Sequence, residues 1–188
     1  MLYWVELFLA LLIRPFVKIT WRGLENIPKS GPLVVASNHE LFGWDVILLG
    51  LMLAPRKIHF MAKADFFRRK YIGWLLKKSG AFSAERFTAV SQANRLLEKG
   101  KIVGIFPEGA LPENQNGFAI KGGVAIIAAK NCTPILPIQI IYGNERHFFP
   151  TATVICRRPF SSNNRRLIIN YLQLIMLNTN SCSPHATD

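Results

Sequence analysis

The stretch "SNHELFGWD", Ser37 to Asp45, sets an imidazole and a carboxylate between two apolar runs. Val34 and Val35 read as a buried strand, and Val46 to Leu49 as a buried helix, with Gly43 as a hinge between them. Loops at strand ends are where rigid scaffolds hold reactive groups, and an imidazole exchanges protons near neutral pH. The same residues also suit a plain turn in which Asn38 caps the helix and His39 lies on the surface. Further along, "IFPEG" ends a second apolar run with Glu108, and an acid at a strand's carboxyl end is a site candidate in an open α/β sheet. "KSGAFSAER" delivers Arg86, and "IKGGVAIIAAK" opens a helix with Lys121-Gly122-Gly123, whose unpaired N–H groups favour an anion. No G-x-S-x-G elbow is present, and no His or Cys cluster has zinc-ligand spacing.

The elements that must position these residues alternate. Strand-like runs span Pro32 to Ser37, Lys57 to Lys63, Lys101 to Pro107 and Pro134 to Ile141, and a fifth starts at Ala152. Helical runs fall at Asp45 to Leu53, Asp65 to Lys78, Thr88 to Lys99 and Gly122 to Lys130. Such alternation predicts an α/β fold, a single domain with a mostly parallel central sheet flanked by helices. At 188 residues, half of them hydrophobic, the chain can bury a core. The expected organisation is an N-terminal membrane-interface helical segment over 1–22, the main domain over 23–176 and a polar tail over 177–188.

The N-terminal "MLYWVELFLALLI" is too short to span a bilayer and lacks the basic start of a signal peptide. With Arg14, Lys18, Trp21 and Arg22 following, it suits a helix lying in the membrane interface, the competing reading being an ordinary core helix. A formal charge of +12, from 23 Lys and Arg against 11 Asp and Glu, calls for an anionic partner. The excess is concentrated between Arg56 and Lys78, interleaved with Phe60, Phe66, Phe67, Tyr71 and Trp74. Nucleic acid or an anionic membrane would fit that patch, and the apolar N-terminus favours the membrane, without nucleic acid. The three cysteines, Cys132, Cys156 and Cys182, form no disulfide framework and fit a reducing compartment.

In order, "NHELFGWD", "GAFSAER", "FPEG" and "TPILPI" resemble the four blocks of the glycerolipid acyltransferase family, whose familiar members are the 1-acylglycerol-3-phosphate acyltransferases. The resemblance covers roughly Leu24 to Pro159 and extends to "GLENIPKSGPLVVASNH" and "MAKADFF". It implies a glycerol-phosphate acyltransferase-like fold and acyl transfer from acyl-CoA or acyl-carrier protein, as co-substrate, to a lysophospholipid hydroxyl, most simply lysophosphatidate. It implies no further cofactor and no metal, and a peripheral or monotopic place on the cytoplasmic face of an anionic membrane. His39 would be the general base and Asp45 its orienting partner. Glu108 and Gly109 would help hold the acceptor, with Arg86, Lys63 and Lys121 meeting its phosphate.

Two departures from the family pattern stand out. Five residues, Glu40 to Trp44, separate His39 from Asp45, one more than usual. The third block usually continues Glu-Gly-Thr-Arg, whereas Ala110 and Leu111 follow Gly109 here. The second leaves room for another lysolipid acceptor, and a binding-only relative on anionic membrane is the further alternative. The first makes a geometric demand. Six positions on one helix give about 600° of rotation, or 240° apart, so both side chains cannot share a regular helix and touch. His39 is therefore expected in the turn ahead, with Gly43 absorbing the extra residue.

Overall fold

A strand whose every residue is buried must lie inside a sheet covered on both faces. "LVVAS" is such a strand: β2, Leu33–Ser37, is buried throughout. In the computed structural model, which describes residues 18–39, 43–85, 88–108, 120, 122–143 and 151–177, it is the middle strand of a seven-stranded sheet. The other strands are β1 (Ile19–Arg22), β3 (Ile58–Ala62), β4 (Phe82–Ser83), β5 (Ile102–Ile105), β6 (Ile135–Tyr142) and β7 (Ala152–Cys156). Their order is β1-β7-β6-β2-β5-β3-β4, and every pairing is parallel except that of β6 with β7. The helices are α1 (Trp44–Leu53), α2 (Ala64–Arg68), α3 (Lys70–Ser79), α4 (Ala89–Glu98), α5 (Gly123–Lys130) and α6 (Arg165–Leu177).

Alternation along β2 divides the core. Leu33 and Val35 pack with Leu48, Leu49, Met52 and Leu53 of α1 on one face. Val34 and Ala36 pack on the other face with residues of α4, α5 and α6. β2 and β5 are thus parallel neighbours whose following helices, α1 and α5, leave to opposite faces. Open α/β sheets form their binding crevice at such a switch point, outside the carboxyl ends of the two strands.

The structure revises several expected elements. The run Asp65 to Lys78 is two helices, because Arg69 is extended (φ −76°, ψ 123°) between α2 and α3. Gly73 lets the two helices pack closely: a Cβ there would come within 2.3 Å of the Phe67 carbonyl oxygen. Residues 19–22, placed with the N-terminal helix on sequence, form edge strand β1 parallel to β7, and Trp21 packs against the core. The remainder of that segment, 1–17, and the tail from 178 lie outside the described residues. Helix α6 was not anticipated; Asn164 caps it, its Oδ1 accepting from the N–H groups of Arg166 and Leu167, and Ile168, Leu172 and Met176 are buried at four-residue spacing. Among the described residues no helix is long and apolar enough to cross a membrane.

Candidate active site

The crevice residues are held by backbone before they are held by each other. Beyond Ser37, the Asn38 side chain takes over from the strand ladder: its Nδ2 donates to the Ile140 carbonyl at 2.7 Å and its Oδ1 accepts from the Ile140 N–H at 2.7 Å. This amide, buried with β6, fixes where the next residue, His39, leaves the sheet. The His39 backbone N–H reaches Glu108 Oε1 at 3.3 Å, tying the end of β2 to the end of β5.

The imidazole is oriented on two sides. His39 Nδ1 lies 2.6 Å from Asp45 Oδ2, and the ring stacks on Phe106 with centroids 4.3 Å apart. Phe106 in turn stacks on Phe60, 5.9 Å away. Gly104 makes room for that row: a Cβ there would sit 2.7 Å from the Phe60 ring. The turn before α1 passes through Gly43 at φ 89°, ψ −45°, a conformation L side chains rarely adopt. His39, ahead of the helix, meets Asp45 in its first turn.

Asp45 is fully buried, a position that costs a carboxylate dearly unless it is bonded. Its Oδ2 accepts a hydrogen bond from His39 Nδ1–H and its Oδ1 one from the Tyr142 hydroxyl at 2.5 Å, while the amino end of α1 adds a favourable dipole. A proton held on Nδ1 leaves the lone pair on Nε2, the arrangement a general base requires.

Other candidate nucleophiles are engaged elsewhere. The Ser37 hydroxyl is buried and donates to the Asn38 carbonyl. Burial pushes the Cys156 thiol up to about 12, so it is not a thiolate at neutral pH. Among the described residues, no three His, Cys, Asp or Glu side chains gather to hold a metal ion.

Residues 18–141 match the family model described as Acyltransferase. The chain belongs to the acyltransferase family. It is 38% identical over 118 residues to a 1-acyl-sn-glycerol-3-phosphate acyltransferase of Bacillus subtilis, covering 60% of this chain and 57% of that protein. It is 32% identical over 143 residues to a chloroplastic 1-acyl-sn-glycerol-3-phosphate acyltransferase of Arabidopsis thaliana, covering 72% of this chain and 39% of that protein. The chain therefore spans about half the length of these curated relatives. The crystal structure of PlsC from Thermotoga maritima, the 1-acyl-sn-glycerophosphate acyltransferase, has the same fold: TM-score 0.74 at 19% identity, over 92% of this chain and 75% of that one.

Within this acyltransferase fold, His39, Asp45 and Glu108 come together at the crevice. Lys63 lies on the same sheet edge, exposed, at the end of β3. Two strand spacings separate it from β2, roughly 10 Å. Arg86, Gly109 and Lys121 lie outside the described residues. The basic run Arg56 to Lys78 does not form one surface. Arg56, at the opposite end of β3, donates to the carbonyls of Pro28 and Gly31 and serves the fold. Tyr142 is a site residue that sequence alone does not single out; its signal is a lone phenol at the carboxyl end of the apolar run of β6.

Proposed function

We propose that this acyltransferase moves a fatty acyl group from acyl-CoA or acyl-carrier protein to the hydroxyl of lysophosphatidate, at the cytoplasmic face of an anionic membrane to which it is held peripherally. The observation carrying the reading is the His39–Asp45 contact at 2.6 Å beside Glu108, in the crevice of a chain whose relatives are named for this reaction. His39 Nε2 takes the hydroxyl proton as the oxygen attacks the thioester carbonyl carbon. Asp45 fixes the tautomer and stabilises the imidazolium formed. When the tetrahedral intermediate collapses, the C–S bond breaks and the imidazolium returns its proton to the leaving thiolate. Glu108 supports the loop through the His39 N–H, and Lys63, with Arg86 and Lys121, supplies positive charge for the acceptor phosphate.

A different lysolipid acceptor is the second reading, favoured by Ala110 and Leu111 standing where the family pattern has threonine and arginine. The test is an acyl-transfer assay with acyl-CoA and acyl-carrier protein as donors and a panel of lysophospholipids as acceptors, using the wild type and His39→Ala. Product from lysophosphatidate, abolished in the variant, supports the first reading. A stronger wild-type reaction with another headgroup supports the second. A folded, lipid-bound wild type inert toward every acceptor overturns both in favour of a binding-only relative.

A further inference from the structure

Helix α3 is a ten-residue helix with one buried residue, Gly73, and seven exposed ones. So short a helix with so little packing is marginal in water. Its outward residues are not the polar set that a solvated face carries: Tyr71 is 81% exposed, Trp74 57% and Leu75 43%. At about 100° per residue, Lys77, Lys70, Trp74, Lys78, Tyr71 and Leu75 follow one another around an arc of about 160°, opposite the side occupied by Gly73 and Leu76. Exposed Arg68 and Arg69 adjoin its amino end. The one acid on the α2–α3 pair, Asp65, is paired to Arg68 at 3.5 Å.

We infer that the outward face of α3 is a docking surface for an anionic lipid bilayer, with Tyr71, Trp74 and Leu75 entering the headgroup boundary and Lys70, Lys77 and Lys78 meeting lipid phosphates. Interfacial helices combine aromatic and aliphatic groups with amines whose stems can lie along the apolar surface while their heads stay wet. The placement also has a consequence. The α2–α3 pair starts from Lys63 at the carboxyl end of β3, on the edge that carries His39 and Glu108. A bilayer on α3 would meet the flank of the sheet beside β3, with the amino end of the helix toward that edge and its carboxyl end returning to His59. The inference rests on the lipid-acceptor reading for its purpose, while its geometry stands apart from it.

The test is sedimentation of the full chain with vesicles of phosphatidylcholine alone and of phosphatidylcholine with phosphatidylglycerol. The variants are Tyr71→Ser/Trp74→Ser and Lys77→Gln/Lys78→Gln. Turnover of a short-chain, water-soluble lysolipid is measured alongside. The wild type should prefer the anionic vesicles, and the lysine variant should bind them about tenfold more weakly or worse, with a shallower salt dependence. The aromatic variant should weaken binding at every salt concentration, and both should keep wild-type turnover of the soluble acceptor. Anionic-vesicle binding equal to wild type in both variants would overturn the docking surface and leave the acyl-transfer reading standing. Unchanged vesicle binding, with loss of binding to acyl-carrier protein in the lysine variant, would reassign the face to an acidic protein. An inactive chain whose α3 variants still lose anionic vesicles would sustain the docking surface and remove the enzyme reading.

Discussion

His39 and His59 each present Nδ1 to an oxygen, at 2.6 Å and 2.8 Å, yet the two imidazoles are set up for opposite purposes. The partner of His39 is a buried carboxyl group that is itself held by Tyr142. The partner of His59 is the neutral Gly80 carbonyl at the carboxyl end of α3. Burial, and then Lys57 and Lys101, push its proton affinity below the usual value near 6.5, only partly offset by the Gly80 bond. In the proposed mechanism one ring takes a proton during the reaction, while the other is kept neutral to join a helix to a strand. The distance to an oxygen does not separate a base from a brace; the charge of that oxygen does.

The largest difference should appear on deletion. His39→Ala is expected to lower kcat for acyl transfer by about 10²–10⁴ with the far-UV CD spectrum unchanged, whereas His59→Gln should leave kcat within about twofold. Equal losses from both would erase the distinction. Tyr142→Phe should come next, removing a side-chain donor from a buried carboxylate. Stability should fall by about 1.5–3 kcal/mol, and kcat by roughly tenfold with KM nearly constant. A KM effect alone would make Tyr142 a substrate contact instead.

The setting of His39 is legible in the sequence, whereas that of His59 is not. The alternation of apolar runs exposes the sheet and its helices because period and composition are local properties. Helix arithmetic alone required His39 to precede α1, and Gly43, the residue with the fewest backbone restrictions, was the natural place for the extra position. Tyr142 was hidden because β6 meets the site only through tertiary pairing, 97 residues along the chain from Asp45. Strands β1 and β4 were hidden for a related reason: four and two residues give too little alternation to read. The division of α2 from α3 also lacks a Pro, and the close approach of Gly73 to the Phe67 backbone is a contact between helices.

Smaller effects sharpen the comparison. Gly43→Ala meets no atom within 4 Å of its new Cβ, so its cost is conformational rather than steric. It should lower stability by about 1–3 kcal/mol in denaturant unfolding, or disturb the His39–Asp45 contact and turnover with it. An unchanged midpoint and unchanged kcat would mean that the turn tolerates another path. The smallest effect is the pH dependence of His59. Because its folded-state affinity is lowered, the unfolded chain binds the proton more readily, so this contribution is present above about 6.5 and lost as pH falls below it toward the folded value. Relative to wild type, His59→Gln should flatten the decline in unfolding free energy on the acid side of 6.5. A parallel decline in both proteins would contradict the assignment.

The most direct test of the central claim, that His39 and Asp45 act as one proton-abstracting unit, is a double-mutant cycle on kcat. It uses His39→Ala, Asp45→Asn and the double variant, each verified as folded. Groups that act as a unit are strongly non-additive. The account predicts that Asp45→Asn alone loses about 10²-fold or more and that the double variant is no slower than His39→Ala alone. Losses that multiply, leaving the double variant slower than His39→Ala by the full Asp45→Asn factor, would contradict it.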